Sequence, residues 1–267
     1  MTSERYSRQS FLGEDSDQII SARTIGVVGV GGGGLHIVQQ LSHVGFKNFV
    51  LYDPDNMDLS NLNRNVGATE KDVKQKTKKI EIARRIITSL HSDSVIRAFD
   101  KRWQKSPEPL RECDIVFGCV DKYQDRHELE VSMRRYLIPY IDIGLTVVHQ
   151  PPRPPLMSGH VFLSMPGKQC MWCLGVLSVG KLADETQNYG DTGPRPQVVW
   201  SNGILASTAV GIAVDLVMGW TRNSPNVVYM LFEGNLGVLR PHPRLVEIDL
   251  KNPCVHHQLI NAGDPKL

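Results

Sequence analysis

Five glycines fall within the six residues Gly29 to Gly34, directly after an apolar run, Thr24 to Val30, and directly before Leu35 to Val44, whose apolar spacing is helical. A β-branched run followed by a tight glycine turn and a helix is the opening of a βαβ unit. The glycines are spaced G-x-G-x-x-G at Gly29, Gly31 and Gly34. A turn of that kind needs unusual backbone angles and close approach of an anion to the main chain, and glycine alone supplies both. The helix N-terminus then offers free N–H groups and a favourable dipole to a phosphate. The glycine fingerprint alone favours NAD, and something else must choose between NAD and ATP.

The rest of the first half keeps the alternation of a doubly wound parallel sheet. Phe49 to Tyr52 reads as a second strand ending on Asp53, Val95 to Phe99 as a third, Asp114 to Cys119 as a fourth, and Pro139 to Ile143 as a fifth. Lys71 to Leu90 reads as one basic helix and Gln124 to Leu137 as another. After the extended breaker Pro151 to Pro155, strand resumes at Gly159 to Leu163. A helix is expected over Trp200 to Met218, then strands at Val227 to Phe232 and Leu236 to Leu239. The fold class is therefore α/β, Rossmann-like and mostly parallel, with an antiparallel C-terminal extension. Residues 1–267 read as a single domain, with an N-terminal arm over 1–23, a nucleotide-binding half over 24–145 and a substrate-binding half over 146–267.

The chemistry that chooses between nucleotides lies outside the glycines. Asp53 ends a strand, where a carboxylate accepts from a ribose hydroxyl. Cations gather nearby in sequence: Arg5 and Arg8 before the first strand, Arg64 after Ser60 to Asn63, and the lysines from Lys74 to Lys79. A dehydrogenase has little use for them. Attack on an α-phosphate does, because it builds charge on phosphoryl oxygens and expels pyrophosphate. Asp121, past the end of a strand, is placed as a magnesium ligand, since hard cations prefer oxygen donors. Lys71, Lys74 and Lys76, taken singly, read as solvated helix residues.

The order Arg5-Tyr6-x-Arg8-Gln9, the glycine fingerprint, Asp53-x-Asp55, Ser60-Asn61-Leu62-x-Arg64, Lys79 to Ala83 and Cys119 to Asp121 followed by Asp125-Arg126 resembles the ThiF/MoeB/HesA family, which includes the ubiquitin-activating enzymes. The resemblance runs along nearly the whole chain. It implies ATP- and magnesium-dependent adenylation of the C-terminal carboxylate of a ubiquitin-like or sulfur-carrier protein. By position it assigns Gly29, Gly31, Gly33 and Gly34 to the phosphate loop, Asp53 and Asp55 to the ribose side, Asn61, Arg64 and Lys79 to the phosphates, and Asp121 to magnesium. Arg8 resembles the arginine that homodimeric members insert into a neighbouring subunit's site. One departure stands out: the glycine that the family usually carries three residues before its phosphate lysine is missing, with Lys76 and Thr77 in that stretch. That leaves Lys78 as an alternative to Lys79. An NAD(P)-dependent oxidoreductase and a non-catalytic subunit of a heterodimeric activating enzyme are the competing readings.

Cys170 and Cys173 have the spacing of two zinc ligands, and Cys254 with His257 repeats it near the C-terminus. The resemblance implies a structural zinc on Cys170, Cys173, Cys254 and His257, with His256 as a substitute, pinning the tail to the domain. Members that form an enzyme thioester carry a cysteine between that C-x-x-C and the following helix, yet Leu174 to Met218 contains none. Cys113 and Cys119 remain, both beside an expected core strand. The expected course is direct transfer of the acyl group to a sulfur donor, a partner cysteine or an amine. Ser178 to Gln197 reads as a mobile crossover loop over the tail of the protein substrate.

Composition bounds the partners. Hydrophobic residues are 41%, charged residues 22% and the net charge +2, which gives no reason to expect nucleic acid. Asn202 and Asp215 interrupt the longest apolar run, so no membrane span is expected. Five cysteines in 267 residues are too few for a disulfide scaffold and point to a reducing cytoplasm.

Overall fold

The computed structural model describes residues 4–187, 196–221, 228–252 and 254–257. A 3-10 helix, Glu4–Leu12, leads into α1 (Ser16–Ser21), β1 (Thr24–Val28), α2 (Gly32–Val44) and β2 (Asn48–Tyr52). Then come α3 (Glu70–Lys74), α4 (Lys79–Leu90), β3 (Val95–Phe99), β4 (Ile115–Gly118), α5 (Tyr123–Arg135) and β5 (Tyr140–Gln150). The second half runs β6 (Arg153–Ser164), α6 (Val179–Gln187), α7 (Val199–Met218), β7 (Val228–Glu233), β8 (Val238–Pro241) and α8 (Arg244–Glu247).

All eight strands form one sheet in the order β3-β2-β1-β4-β5-β6-β7-β8. The pairs from β3 through to β5 are parallel and those from β5 through to β8 antiparallel. Strands covered on both faces carry continuous apolar runs, as β1, β2 and β4 do. The order reverses at β1, which opens a crevice beyond the strands' carboxyl ends, the usual ligand position in such sheets. α7 packs on α2, β5 and β6, burying Leu205, Ala206, Ala209, Val210 and Ala213. Among the described residues it is the one helix long and apolar enough to cross a membrane.

Three expectations are corrected. The basic helix expected over Lys71 to Leu90 is two helices, broken at Lys76. Lys76 has φ of +50°, in the left-handed region, and its neighbours Thr77 and Lys78 reach back to the loop after β2 through the Met57 N–H to Thr77 carbonyl bond and an Asn56–Lys78 bridge. The missing family glycine thus corresponds to a left-handed residue that lysine fills, with its ammonium paired to Asp58. Second, Pro154 and Pro155 lie inside β6, which pairs with β5 in a long hairpin turning at residues 151–152. Prolines are tolerated there because that end of β6 is exposed and lies beyond its pairing with β7. Third, the expected crossover loop begins with helix α6, whose Glu185 accepts the backbone N–H groups of Tyr123 and Gln124 at the start of α5, each at 3.1 Å. The remainder of that stretch, 188–195, lies outside the described residues, as does Val227.

Candidate nucleotide cavity and metal cluster

The carboxyl ends of β1, β2, β4 and β5 border a cavity of about 1220 Å³. It is lined by Gly29, Gly31 and Gly33 of the glycine turn, by Asp53, Asp55, Asn61, Arg64 and Lys79, and by Asp121. The expected nucleotide residues are therefore brought together from four separate segments. Gly34 is not among the lining residues. A Cβ there would meet the Gly29 carbonyl oxygen at 2.0 Å, so this glycine lets the turn close on itself. Gly29 has φ of +88° and lies against the Cys119 carbonyl. Arg8 is exposed on the N-terminal 3-10 helix and does not line the cavity of its own chain.

Asp53 is buried and already engaged: one carboxylate oxygen accepts from the Val30 N–H at 2.8 Å and the other from the Asp55 N–H at 2.9 Å. Burial raises its pKa, opposed by the charge of Lys79 and by these N–H groups. Asp53 therefore clips the glycine turn to the end of β2 and offers its remaining lone pairs to the cavity. Lys79, the first residue of α4, is buried; its ammonium lies 2.7 Å from the Asp55 carboxylate. Lys78 points elsewhere, 3.9 Å from Asp100, and does not line the cavity. The break at Lys76 is what starts α4 at Lys79 and sets that lysine on the wall. Arg64 is held by the Ser60 carbonyl at 2.6 Å and the Asn63 side chain at 3.1 Å. Asp121, exposed at the cavity mouth after β4, offers the oxygen donor that magnesium prefers beside bound phosphates.

Several lining residues were not singled out from sequence. Asn202, at the start of α7, sits so close to the glycine turn that a Cβ on Gly32 would meet its amide at 2.7 Å. Arg126 and the half-buried His160 lie on the wall, joined behind it by the buried Asp142. Arg126 was visible only as a motif neighbour. The signal for Asp142 was a lone acid in the apolar run Tyr140 to Ile143. Cys119 lines the cavity and Cys113 is buried in the core. Burial pushes the Cys113 thiol up to about 12 and the Cys119 thiol further still, so neither is an activated nucleophile.

The second cluster joins Cys170, Cys173, Cys254 and His256. The sulfur of Cys173 lies 3.6 Å from that of Cys170 and 3.7 Å from that of Cys254, and His256 Nδ1 lies 3.6 and 3.3 Å from Cys170 and Cys173. A tetrahedral zinc with bonds of about 2.3 Å to sulfur spaces its thiolates about 3.8 Å apart. The donor set fits zinc in both chemistry and spacing. Of the two expected histidines, His256 has its Nδ1 against the thiols, while His257 lies 3.6 Å from the buried Glu130 and forms a second group with Glu130 and Cys170. Both histidines of the bend at 255–257 thus have a ring nitrogen within 4.8 Å of the Cys170 sulfur.

Comparison with known proteins agrees with this geometry. The ThiF family profile matches residues 4–245. The chain is 23% identical over 263 residues to ubiquitin-like modifier-activating enzyme 5 of Gallus gallus, covering 91% of this chain and 63% of that protein. It is 28% identical over 133 residues to the sulfur carrier protein ThiS adenylyltransferase of Escherichia coli, covering 48% and 52%. It is 31% identical over 144 residues to the SAMP-activating enzyme E1 of Haloferax volcanii, covering 52% of each. The chain thus spans about half the length of the curated relatives it matches. Among solved structures, E. coli MccB with ATP superposes with a TM-score of 0.72 at 17% identity, over 90% of this chain and 71% of that one. PaaA superposes with a TM-score of 0.67 at 19% identity, over 90% and 82%. The chain belongs to the ThiF family.

Proposed function

We propose that this protein adenylates the C-terminal carboxylate of a ubiquitin-like or sulfur-carrier protein with ATP and magnesium, then passes the acyl group to a sulfur donor, a partner cysteine or an amine. The observation that carries this reading is the convergence of Arg64, Lys79, Asn61 and Asp121 with the glycine turn on one cavity of a ThiF-family chain. Relatives named for activating ubiquitin-like modifiers, ThiS and SAMP support the substrate class.

In the first step a carboxylate oxygen attacks the α-phosphorus, the bond to the β-phosphate oxygen breaks, and pyrophosphate leaves. The charge spreads over phosphoryl oxygens, so positioned cations do most of the catalysis. Arg64 and Lys79 supply them; Lys79 exchanges its pairing with Asp55 for the phosphates. The N–H groups at the start of α2 face the same oxygens. Asp121 would hold magnesium, which would supply positive charge against the phosphates when bound. Cys170, Cys173, Cys254 and His256 would hold zinc away from this chemistry. A cytoplasmic homodimer, with Arg8 of each copy serving the other's cavity, completes the reading.

The test is ATP–pyrophosphate exchange with a panel of small β-grasp proteins ending in Gly-Gly. Exchange that saturates with one of them, and falls at least about 100-fold in Asp121→Ala, is expected. Tight NAD binding without exchange would sink the reading in favour of an oxidoreductase.

A further inference from the structure

One polar group on the cavity wall has no part in nucleotide binding as described. Asp142, wholly buried on β5, accepts from three side chains. Its Oδ1 takes the Tyr140 hydroxyl at 2.8 Å, and its Oδ2 takes the Arg126 guanidinium and His160 Nε2, the latter at 2.8 Å. Arg126 in turn donates to the carbonyls of Ile143 and Val120, the residue before Asp121. An arginine side chain only donates, so Asp142 meets it as an acceptor. The proton between Asp142 and His160 therefore sits on Nε2, which leaves the lone pair on Nδ1. Among the described residues Nδ1 has no hydrogen-bond partner, and the ring forms part of the cavity wall.

Position matters as much as tautomer. His160 is paired in register with Gly144, two residues beyond Asp142, and Asp142 is level with Gly118 at the end of β4. The Cε1 corner of the ring lies against Gly144, where a Cβ would meet Cε1 at 2.4 Å, Nδ1 at 3.0 Å and Nε2 at 3.1 Å. Gly144 to Val147 line the same cavity as Asp121. An extended chain entering along β5 towards Asp121 would pass His160 with its final residues. Burial lowers the imidazole pKa, against the hydrogen bond and charge of Asp142 and with the charges of Arg126 and Lys181, so the ring is neutral at pH 7.

We propose that His160 is a catalytic residue for the second half of the reaction, a general base oriented by Asp142 that takes the proton of a thiol attacking the acyl-adenylate. The inference rests on the adenylation reading above. In the step, the thiol sulfur bonds to the acyl carbonyl carbon and its proton moves to His160 Nδ1. The carbon–oxygen bond to the phosphate breaks, and AMP leaves with that electron pair. An oriented histidine base contributes about 100-fold or more to such a step.

The experiment uses the carrier protein that supports exchange and follows capture of its adenylate by two probes. Dithiothreitol must lose a thiol proton to attack, whereas hydroxylamine attacks as the free base. In His160→Ala and His160→Gln, capture by dithiothreitol is expected to fall about 100-fold more than capture by hydroxylamine. Added imidazole should restore the thiol rate in His160→Ala. The glutamine variant keeps an amide donor for Asp142 but cannot accept the proton. Wild-type thiol capture in His160→Gln, or equal losses with both probes, would show that the ring merely holds Asp142 and would overturn the proposal. Failure of every carrier to support exchange in the wild type would overturn the adenylation reading itself, and this inference with it.

Discussion

At the scale of the residue, adjacent glycines do different work. Gly31 has a negative φ, −83°, and a Cβ there meets nothing within 4 Å. Gly34 has no such room: its Cβ would lie 2.0 Å from the Gly29 carbonyl oxygen, and a backbone oxygen cannot swing aside as a side chain can. Gly31→Ala is thus expected to leave thermal stability nearly unchanged while its methyl group obstructs phosphate approach and weakens ATP binding at least about 10-fold, or about 1.4 kcal/mol. Gly34→Ala should instead destabilise the fold by about 2 kcal/mol or more, because the turn must open. Thermal melts alongside ATP titrations separate the two; equal destabilisation by both substitutions would refute the division. The sequence spacing named both positions but could not tell them apart, since one protects the ligand's path and the other the turn.

At the scale of the element, α3 and α4 were legible as helical sequence but not as two helices. Lys74 to Lys79 holds no apolar residue, so no apolar pattern marks the break, which a single left-handed residue, Lys76, makes. The parallel strands were legible because burial on both faces leaves unbroken apolar runs. The long β5–β6 hairpin was not, because its outer half is exposed and carries prolines. What holds the broken pair together is Asp72. It closes the capping box with Thr69 and accepts two bonds from Arg85 on α4, at 2.9 and 2.8 Å. The Arg85 hydrogen bonds hold this carboxyl far below its ordinary range, against the effect of burial. A carboxylate whose folded pKa is depressed stabilises the fold above its unfolded pKa of about 4 and loses that contribution as pH falls towards the folded value. Asp72→Asn should therefore cost about 2 kcal/mol above about pH 5, with the gap from wild type shrinking below about pH 4. Urea melts across this range give the answer, and a gap that stays constant with pH would exclude the ion pair as its source.

At the scale of the whole molecule, two clusters tie distant segments together, and they differ in how much of each the sequence could reveal. The cavity residues arrive in chain order along a topology that sequence patterning already implied, so most could be named. The Arg126–Asp142–His160 group could not, because it is made by the antiparallel pairing of β5 with β6, a contact that no motif encodes. The metal cluster was legible in its thiols, while spacing left His256 and His257 both open, since a backbone bend decides how each of two neighbours meets the thiols. His256 groups with all three thiols, whereas His257 groups with Cys170 and the buried Glu130, one turn beyond Arg126 on α5, which favours His256 as the ligand. Zinc at this cluster would close a link of about 80 residues between the Cys170 to Cys173 turn and the tail. His256→Ala should accordingly lose bound zinc and lower the melting temperature by at least about 4 °C, with roughly 2–4 °C expected per kcal/mol for domains approaching this size. His257→Ala should keep the metal and lose only its contact with Glu130. Zinc content by elemental analysis, with melts before and after chelation, measures both. If His257→Ala empties the site while His256→Ala keeps it, the tail docks in the opposite register, and the sequence spacing was the better guide.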